Sequence, residues 1–366
     1  MRLRTICACL GLLLASLAAR AADAVSERFV FGLPKAELHV HLEGVMEPER
    51  YLAIAHRNGV ATPYASAEAV RQRLRDAHDL PSFIAIYEEL ISAVQTEQDI
   101  YDIATDYFRR AQTQGVVHVE MFVDPQLHLE RGMSLAALFA GLTRAQREAK
   151  ARWGIDAKYI LCFLRDRPAD DAMRVLEQSR PWRTRFIGVG LDNPEVNDFP
   201  HKFQTVFARA RALGLHLTTH CDVDQPNSVA HLWGALEVLG VERIDHGLNA
   251  AKDPALVAAV RSRGVGLTAA ATQFYAEIPG RMEYRSGLIK QLLEQGVIVS
   301  VNSDDPGMMQ SRYVGDLMLR VQQTAELSRD QVIRLAKNSF TMSWITRAQR
   351  SAYLASIDAY AKASPP

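Results

Sequence analysis

Short apolar, β-branched runs alternate along the chain with stretches in which apolar residues recur at helical spacing. The runs fall at residues 37–42, 116–123, 158–163, 186–191, 215–220, 242–245, 265–269 and 297–302. Near-continuous apolar strands separated by helices imply a parallel sheet covered by helices. Eight such units in one chain of this length predict an α/β fold, a (β/α)8 TIM barrel. The competing architecture, an open doubly wound sheet, is disfavoured because no Gly-x-Gly-x-x-Gly follows any of the runs.

The first connection, residues 43–114, is much longer than the rest. Segments 51–57, 67–75, 81–94 and 97–111 within it read as helices, so a helical insertion after strand 1 is expected to cap the barrel mouth. There is no Pro/Gly/Ser-rich linker, internal repeat or low-complexity tract, and residues 25–366 read as a single domain. Residues 361–366 are expected to form a frayed tail.

Composition narrows the function. The 366 residues are 48% hydrophobic and 23% charged, as in ordinary globular proteins, and 42 basic residues balance 42 acidic ones. A nucleic-acid or anionic-membrane partner usually leaves a basic excess, so the expected partner is a small molecule, with no nucleic acid. Residues 1–24 differ from the rest: Arg2 and Arg4 precede an apolar stretch at 6–17, and Ala19-Arg20-Ala21 offers small residues to a signal peptidase. The apolar stretch is shorter than the roughly 20 residues of a membrane span. A cleaved export signal is therefore expected, giving a periplasmic or secreted protein with no membrane attachment after cleavage. Cys7 and Cys9 leave with it. Only Cys162 and Cys221 remain, which excludes a disulfide framework or a CxxC site. Nothing in the sequence sets an oligomeric state.

Barrel active sites form where strands end at the C-terminal face, and chemically capable residues gather at those ends. Strand one ends in His39-Val40-His41; alternation along a strand sends both imidazoles to the same side. Strand five ends at His220, strand six at Asp245-His246-Gly247, and strand eight at Asn302-Ser303-Asp304-Asp305. Three neutral imidazoles and a carboxylate suit zinc, on which a water's pKa falls to about 7, generating hydroxide at neutral pH. Either Asp305 or His246 could orient that water and take its proton. His118 and Glu120, two apart on strand two, read as a hydrogen-bonded pair inside the barrel. His216 and His231 read as structural or exposed, and Glu195 and Asp198 as solvated loop carboxylates.

The runs Pro34-Lys35-Ala36-Glu37-Leu38-His39-Val40-His41-Leu42-Glu43-Gly44, Arg243-Ile244-Asp245-His246-Gly247 and Val301-Asn302-Ser303-Asp304-Asp305-Pro306 resemble the strand-one, strand-six and strand-eight motifs of the adenosine deaminase family in the amidohydrolase superfamily. The likeness extends from about residue 33 to 340. Around 192–217, with Lys202-Phe203-Gln204, it is most similar to the adenine deaminase branch. The resemblance implies one zinc ion per chain held by His39, His41, His220 and Asp304, with His246 positioning the attacking water and Asp305 acting as base. It places Gly190, Asp192 and Glu43 at the substrate: Gly190 through backbone contacts to a purine, Glu43 on the pocket wall. The implied reaction is hydrolytic deamination of adenosine, adenine or an N6-substituted adenine, the hydroxide attacking the amine-bearing carbon.

Two departures from the family pattern stand out. After strand five the family reads His-Ala-Gly-Glu, and its Glu protonates a ring nitrogen; here the run is His220-Cys221-Asp222-Val223-Asp224, with Val223 in that place. The proton is then expected from Asp222 or Asp224. After strand seven the family's Cys-Pro-x-Ser-Asn is replaced by Thr268-Ala269-Ala270-Ala271-Thr272-Gln273. These changes leave two other readings open, an exported amidohydrolase of a non-purine substrate and a purine-binding protein without turnover.

Overall fold

The computed structural model describes residues 25–196, 198–221, 225–272, 274–275, 277–310 and 312–364. Residues 1–24, where an export signal is expected, and the residues Asp222, Val223 and Asp224 lie outside them.

Eight parallel strands follow one another in sequence order around the sheet. They are β1 (Lys35–Glu37), β2 (Val116–Val123), β3 (Asp156–Leu164), β4 (Gly188–Asp192), β5 (His216–Cys221), β6 (Arg243–His246), β7 (Gly266–Ala270) and β8 (Ile298–Asn302). The ring closes through a parallel bridge between Val40 and Asp304, with His41 N–H donating to Asp304 O and Asp304 N–H to His39 O, both at 3.0 Å. The result is a (β/α)8 barrel. Strand residues are buried on both faces because side chains fill the interior and helices cover the outside, which explains the unbroken apolar runs.

β1 is shorter than the run at 37–42 suggests. Side chains on both sides of the junction take over the ladder: Leu38 N–H donates to Asn302 Oδ1 at 2.9 Å, and Glu37 Oε1 of β1 accepts Ser303 N–H at 2.9 Å. Glu37 Oε2 also accepts the Tyr107 hydroxyl at 2.5 Å. At the foot of β1, Lys35 Nζ donates to three backbone carbonyls, of Val30, Leu33 and Gln114. The Lys and Glu of the strand-one motif are therefore fasteners that fix where His39 and His41 emerge.

The insertion after β1 contains the helices Pro48–Asn58, Ala67–Arg75, Leu80–Ile91 and Glu97–Thr113. Capping boxes start two of them: Asp79 with Ser82, and Thr96 with Asp99. The Leu80–Ile91 helix turns Phe83 and Tyr87 toward the barrel mouth. At the C-terminal end a helix runs unbroken over Arg347–Ala363, so 361–363 are ordered rather than frayed; Tyr360 lies against Phe29 at 5.7 Å between ring centroids. No described helix is long and apolar enough to cross a membrane.

Candidate active site

Four side chains converge at the C-terminal mouth of the barrel. His39 Nε2 lies 3.1 Å from both Asp304 Oδ1 and His220 Nε2; His41 Nε2 lies 3.1 Å from His220 Nε2 and 3.5 Å from Asp304 Oδ1. Outer hydrogen bonds fix the tautomers. His39 Nδ1–H donates to Thr268 O and His220 Nδ1–H to Leu191 O, each at 2.9 Å, which leaves the Nε2 lone pairs pointing inward. Asp245, fully buried, accepts the hydroxyls of Thr218 and Thr268 at 2.7 Å and lies 3.6 Å from His220 Nδ1, bracing β5, β6 and β7 behind the cluster.

Lone pairs of neutral imidazoles facing one another at 3.1 Å repel unless a cation lies among them. Metal–nitrogen bonds of 2.0–2.1 Å in a tetrahedron put donor atoms about 3.3–3.4 Å apart, close to the spacing found. The donor set therefore fits a divalent metal of the zinc type. The protonation tendencies of two of the three histidines agree, and His39 departs from them because, with no cation among the donors, its proton is what Asp304 attracts. Burial drives His220 well below the ordinary histidine range and His41 down to about 4. Burial opposes protonation of His39 too, but the adjacent Asp304 lifts it to about 9, and the surrounding histidines hold Asp304 far below the carboxylate range.

His246 and Asp305 join this cluster. His246 Nε2 is 3.9 Å from Asp304 Oδ2, and its ring is 4.5 Å from that of His39. His246 also belongs to a group with His39, His220 and Asp304 whose ligating atoms all lie within 4.8 Å of one another. His246 (φ 62°) and Asp304 (φ 63°) adopt the left-handed conformation that non-glycine residues rarely occupy; such strain concentrates at functional sites. Burial, and then the charge of Asp304, push the Asp305 carboxyl well up.

The cluster floors a cavity of about 310 Å³. Phe83, Tyr87, Phe274 and Met309 supply flat or apolar walls, and Asp124, Asp192, Arg165 and Arg285 supply polar ones. Asp192 lies on the cavity wall, 3.6 Å from His41 Nδ1. Glu43 and Gly190 are not on the cavity wall. Glu43 is 1% exposed and sits behind it, accepting Asp124 N–H at 3.1 Å and His128 Nε2–H at 2.7 Å. Gly190 pairs with Cys162 inside the barrel, where an added Cβ would meet the Cys162 sulfur at 2.6 Å.

Glu195 corrects another expectation: its side chain is 1% exposed, ion-paired with His231 and 3.8 Å from Arg165. Asp198 is solvated and pairs with His201. His118 and Glu120 form a 3.0 Å pair within the barrel, joined by Arg243, and His216 stacks on Trp344 at 4.7 Å.

Sequence reasoning missed Asp124 and Arg165. Both follow strands, β2 and β3, so the strand-end rule that found the histidines also pointed to them. The carboxyl groups of Asp124 and Asp192 adjoin, and burial raises both, Asp192 to about 7.

The adenosine deaminase family model matches residues 34–360. This chain belongs to the adenosine deaminase family. It is accordingly a hydrolytic deaminase, and family enzymes of this kind depend on a metal. Within the family it is 42% identical to an adenine deaminase of Streptomyces coelicolor, over 90% of this chain and 96% of that one. It is 39% identical to an adenine deaminase of Hahella chejuensis, over 91% and 98%. The solved adenine deaminase of Arthrobacter aurescens superposes with a TM-score of 0.84 at 34% identity, covering 90% of this chain and 99% of that one. A zinc-bound amidohydrolase from Burkholderia ambifaria shares the fold at 23% identity, with a TM-score of 0.82 over 94% and 96% of the two chains.

Proposed function

We propose that this enzyme hydrolyses the amino group from adenine, or from adenosine or an N6-substituted adenine, with His39, His41, His220 and Asp304 holding one zinc ion. The observation that carries the reading is the convergence of these four donors on the floor of a cavity walled by aromatic side chains. Similarity to the adenine deaminases of S. coelicolor, H. chejuensis and A. aurescens supports adenine as the first substrate to try. A bound zinc supplies Lewis-acid activation of water and neutralises the facing lone pairs.

The chain's own residues divide the remaining work. His246 orients the attacking water. Asp305, in its ionised form, accepts the water's proton and returns it to the departing amine. Asp222 or Asp224, on either side of Val223, supplies the proton to the ring nitrogen that the family's Glu otherwise provides. Phe83 and Phe274, packed against each other at 5.4 Å between ring centroids, together form one aromatic wall that covers a planar base and keeps bulk water from the reacting carbon. The N-terminal residues 1–24 are proposed to direct export and be removed, so that the mature chain begins at Ala22 or Val25.

The test is incubation of the zinc-loaded protein with adenine, adenosine and N6-methyladenine while following the ultraviolet change and the released ammonia or methylamine. Hydrolysis of at least one supports the reading. Inertness toward all three by a protein carrying one zinc per chain overturns it. For the ring-nitrogen donor, a tenfold or larger fall in kcat/KM is expected for Asp222→Asn or Asp224→Asn, and unchanged rates in both would remove that role.

A further inference from the structure

Between β4 and β5 the barrel wall opens toward its mouth. The two strands pair only through Gly188 with His216 and Val189 with Leu217. Beyond that level Gly190, Leu191 and Asp192 pair with β3 alone, and Thr218, Thr219, His220 and Cys221 with β6 alone. His220, a proposed metal ligand, and Asp192, on the cavity wall, thus stand on the two lips of a gap whose width no backbone ladder fixes.

Side chains span it instead. His220 Nδ1–H donates to Leu191 O at 2.9 Å. The wider span falls to Arg165, the first residue after β3 and fully buried. Its backbone N–H donates to Asp192 O at 3.1 Å, its Nε–H to Asn193 O at 2.7 Å, and an Nη1–H to His220 O. One guanidinium, rooted on a third strand, therefore grips both lips. The grip is itself held: Glu195 lies 3.8 Å from Arg165 Nη2 and is ion-paired with His231 of the helix Ser228–Gly234, which follows β5. The Phe199 ring packs against both cation and imidazole, 5.0 Å from the Arg165 guanidinium carbon and 5.0 Å from the His231 ring.

An arginine, a carboxylate and a histidine taken almost wholly out of water add little net stability, because desolvation offsets much of their attraction. What such a network supplies and an apolar filler would not is direction. A carbonyl on each lip, met by a separate N–H of one rigid planar fork, has its distance and angle fixed together. Asn193, whose carbonyl takes one prong, is left-handed (φ 66°), a strain that persists where the surroundings over-determine it.

We infer that Arg165 is a positioning residue that sets the separation of the β4 and β5 ends and thereby the place of His220 in the metal-binding cluster, with Glu195 and His231 seating its guanidinium. The inference rests on the proposed metal site and adds to it what aligns the ligand from the fifth strand.

The experiment titrates metal-free protein with zinc against a competing chelator in the parent, His220→Ala, Arg165→Lys, Glu195→Gln and Glu120→Gln, recording Tm for each. Partners that orient metal ligands typically contribute ~10–100-fold in affinity. Arg165→Lys keeps the charge but meets only one lip, and is expected to weaken zinc binding at least ~10-fold. Glu195→Gln keeps the shape but removes the charge that seats the guanidinium, so a smaller loss is expected, and it carries the test if Arg165→Lys does not fold. Glu120→Gln breaks another buried ion pair, the one with Arg243 inside the barrel, and is expected to lower Tm with zinc affinity unchanged. Zinc binding as tight as the parent's in folded Arg165→Lys or Glu195→Gln overturns the inference, as does a loss in Glu120→Gln equal to theirs. Loss of zinc by His220→Ala alone would leave the metal site standing and remove only the positioning role. A parent that binds no zinc, or a His220→Ala protein that binds it as tightly, removes the metal site and the inference with it.

Discussion

Gly44, in the strand-one motif, tests how tightly the proposed base is placed. A Cβ added at this position would lie 1.7 Å from Asp305 Oδ1, 2.5 Å from its Cγ and 2.6 Å from its Cβ. Since such atoms do not approach within 3.0 Å, Gly44→Ala must drive the carboxylate back by at least ~1.3 Å. Relief by moving Gly44 is blocked, because its carbonyl accepts Gly307 N–H at 3.0 Å and Met308 N–H at 3.2 Å. A displacement near 1 Å at a reacting group costs on the order of 10² in rate. Gly44→Ala should thus lower kcat about 10²-fold, with one metal per chain retained because none of the four ligands is touched. The assay is steady-state kinetics with metal analysis, in the parent and again in an Asp305→Ala background. With the carboxylate already gone, the added methyl should have little further effect. Retention of rate within about threefold, or an equal loss in both backgrounds, would refute the reasoning.

Three other outcomes are expected. His220→Ala should leave the purified protein without stoichiometric metal and without activity; a tightly bound ion with turnover would displace the proposed ligand set. Burial works to raise the Glu120 carboxyl, but Arg243 and His118 outweigh it and hold the group at about 2, against an ordinary 4.5. A depressed folded-state value stabilises the fold above about pH 4.5 and loses that contribution as pH falls through about 2. Glu120→Gln should therefore cost about 3 kcal/mol at neutral pH, with the deficit narrowing across that window in denaturant titrations; a constant deficit would contradict the assignment. Glu43→Gln should lower stability by about 1.5–3 kcal/mol without altering the adenosine-to-adenine rate ratio; a changed ratio would put Glu43 in contact with substrate.

Legibility in the sequence followed physical cause. β2 was readable to the residue at both ends, 116–123, because it is a long apolar strand flanked by Gly115 and the Asp124-Pro125 break. β1 was not, because Asn302 and Glu37 replace its ladder with side-chain hydrogen bonds that no local pattern records. The histidine pair was legible from its two-residue spacing on a strand. Glu43 stands two residues past His41, yet the bridges at Val40 and His41 end the extended run before it and the chain turns it inward. Gly190 was misplaced because register, which sets it opposite Cys162, depends on a neighbouring strand. Phe83 and Tyr87 reach the cavity from the helical insertion, whose spacing reveals a buried face without revealing what that face covers.

The seam of the barrel passes through the proposed metal-binding cluster. His39 and Asp304 are 265 positions apart in the sequence, and the bridge beside them joins the first strand to the last. Every other strand contact closes a shorter loop, so this junction carries the largest chain-entropy penalty of the ring. An ion held there acts as a clasp on the whole cylinder. Its binding free energy adds to the stability of the closed fold by mass action. Chelation then does more than silence the chemistry: it removes that contribution at the place where the barrel's two ends meet, leaving the backbone bridge to hold them.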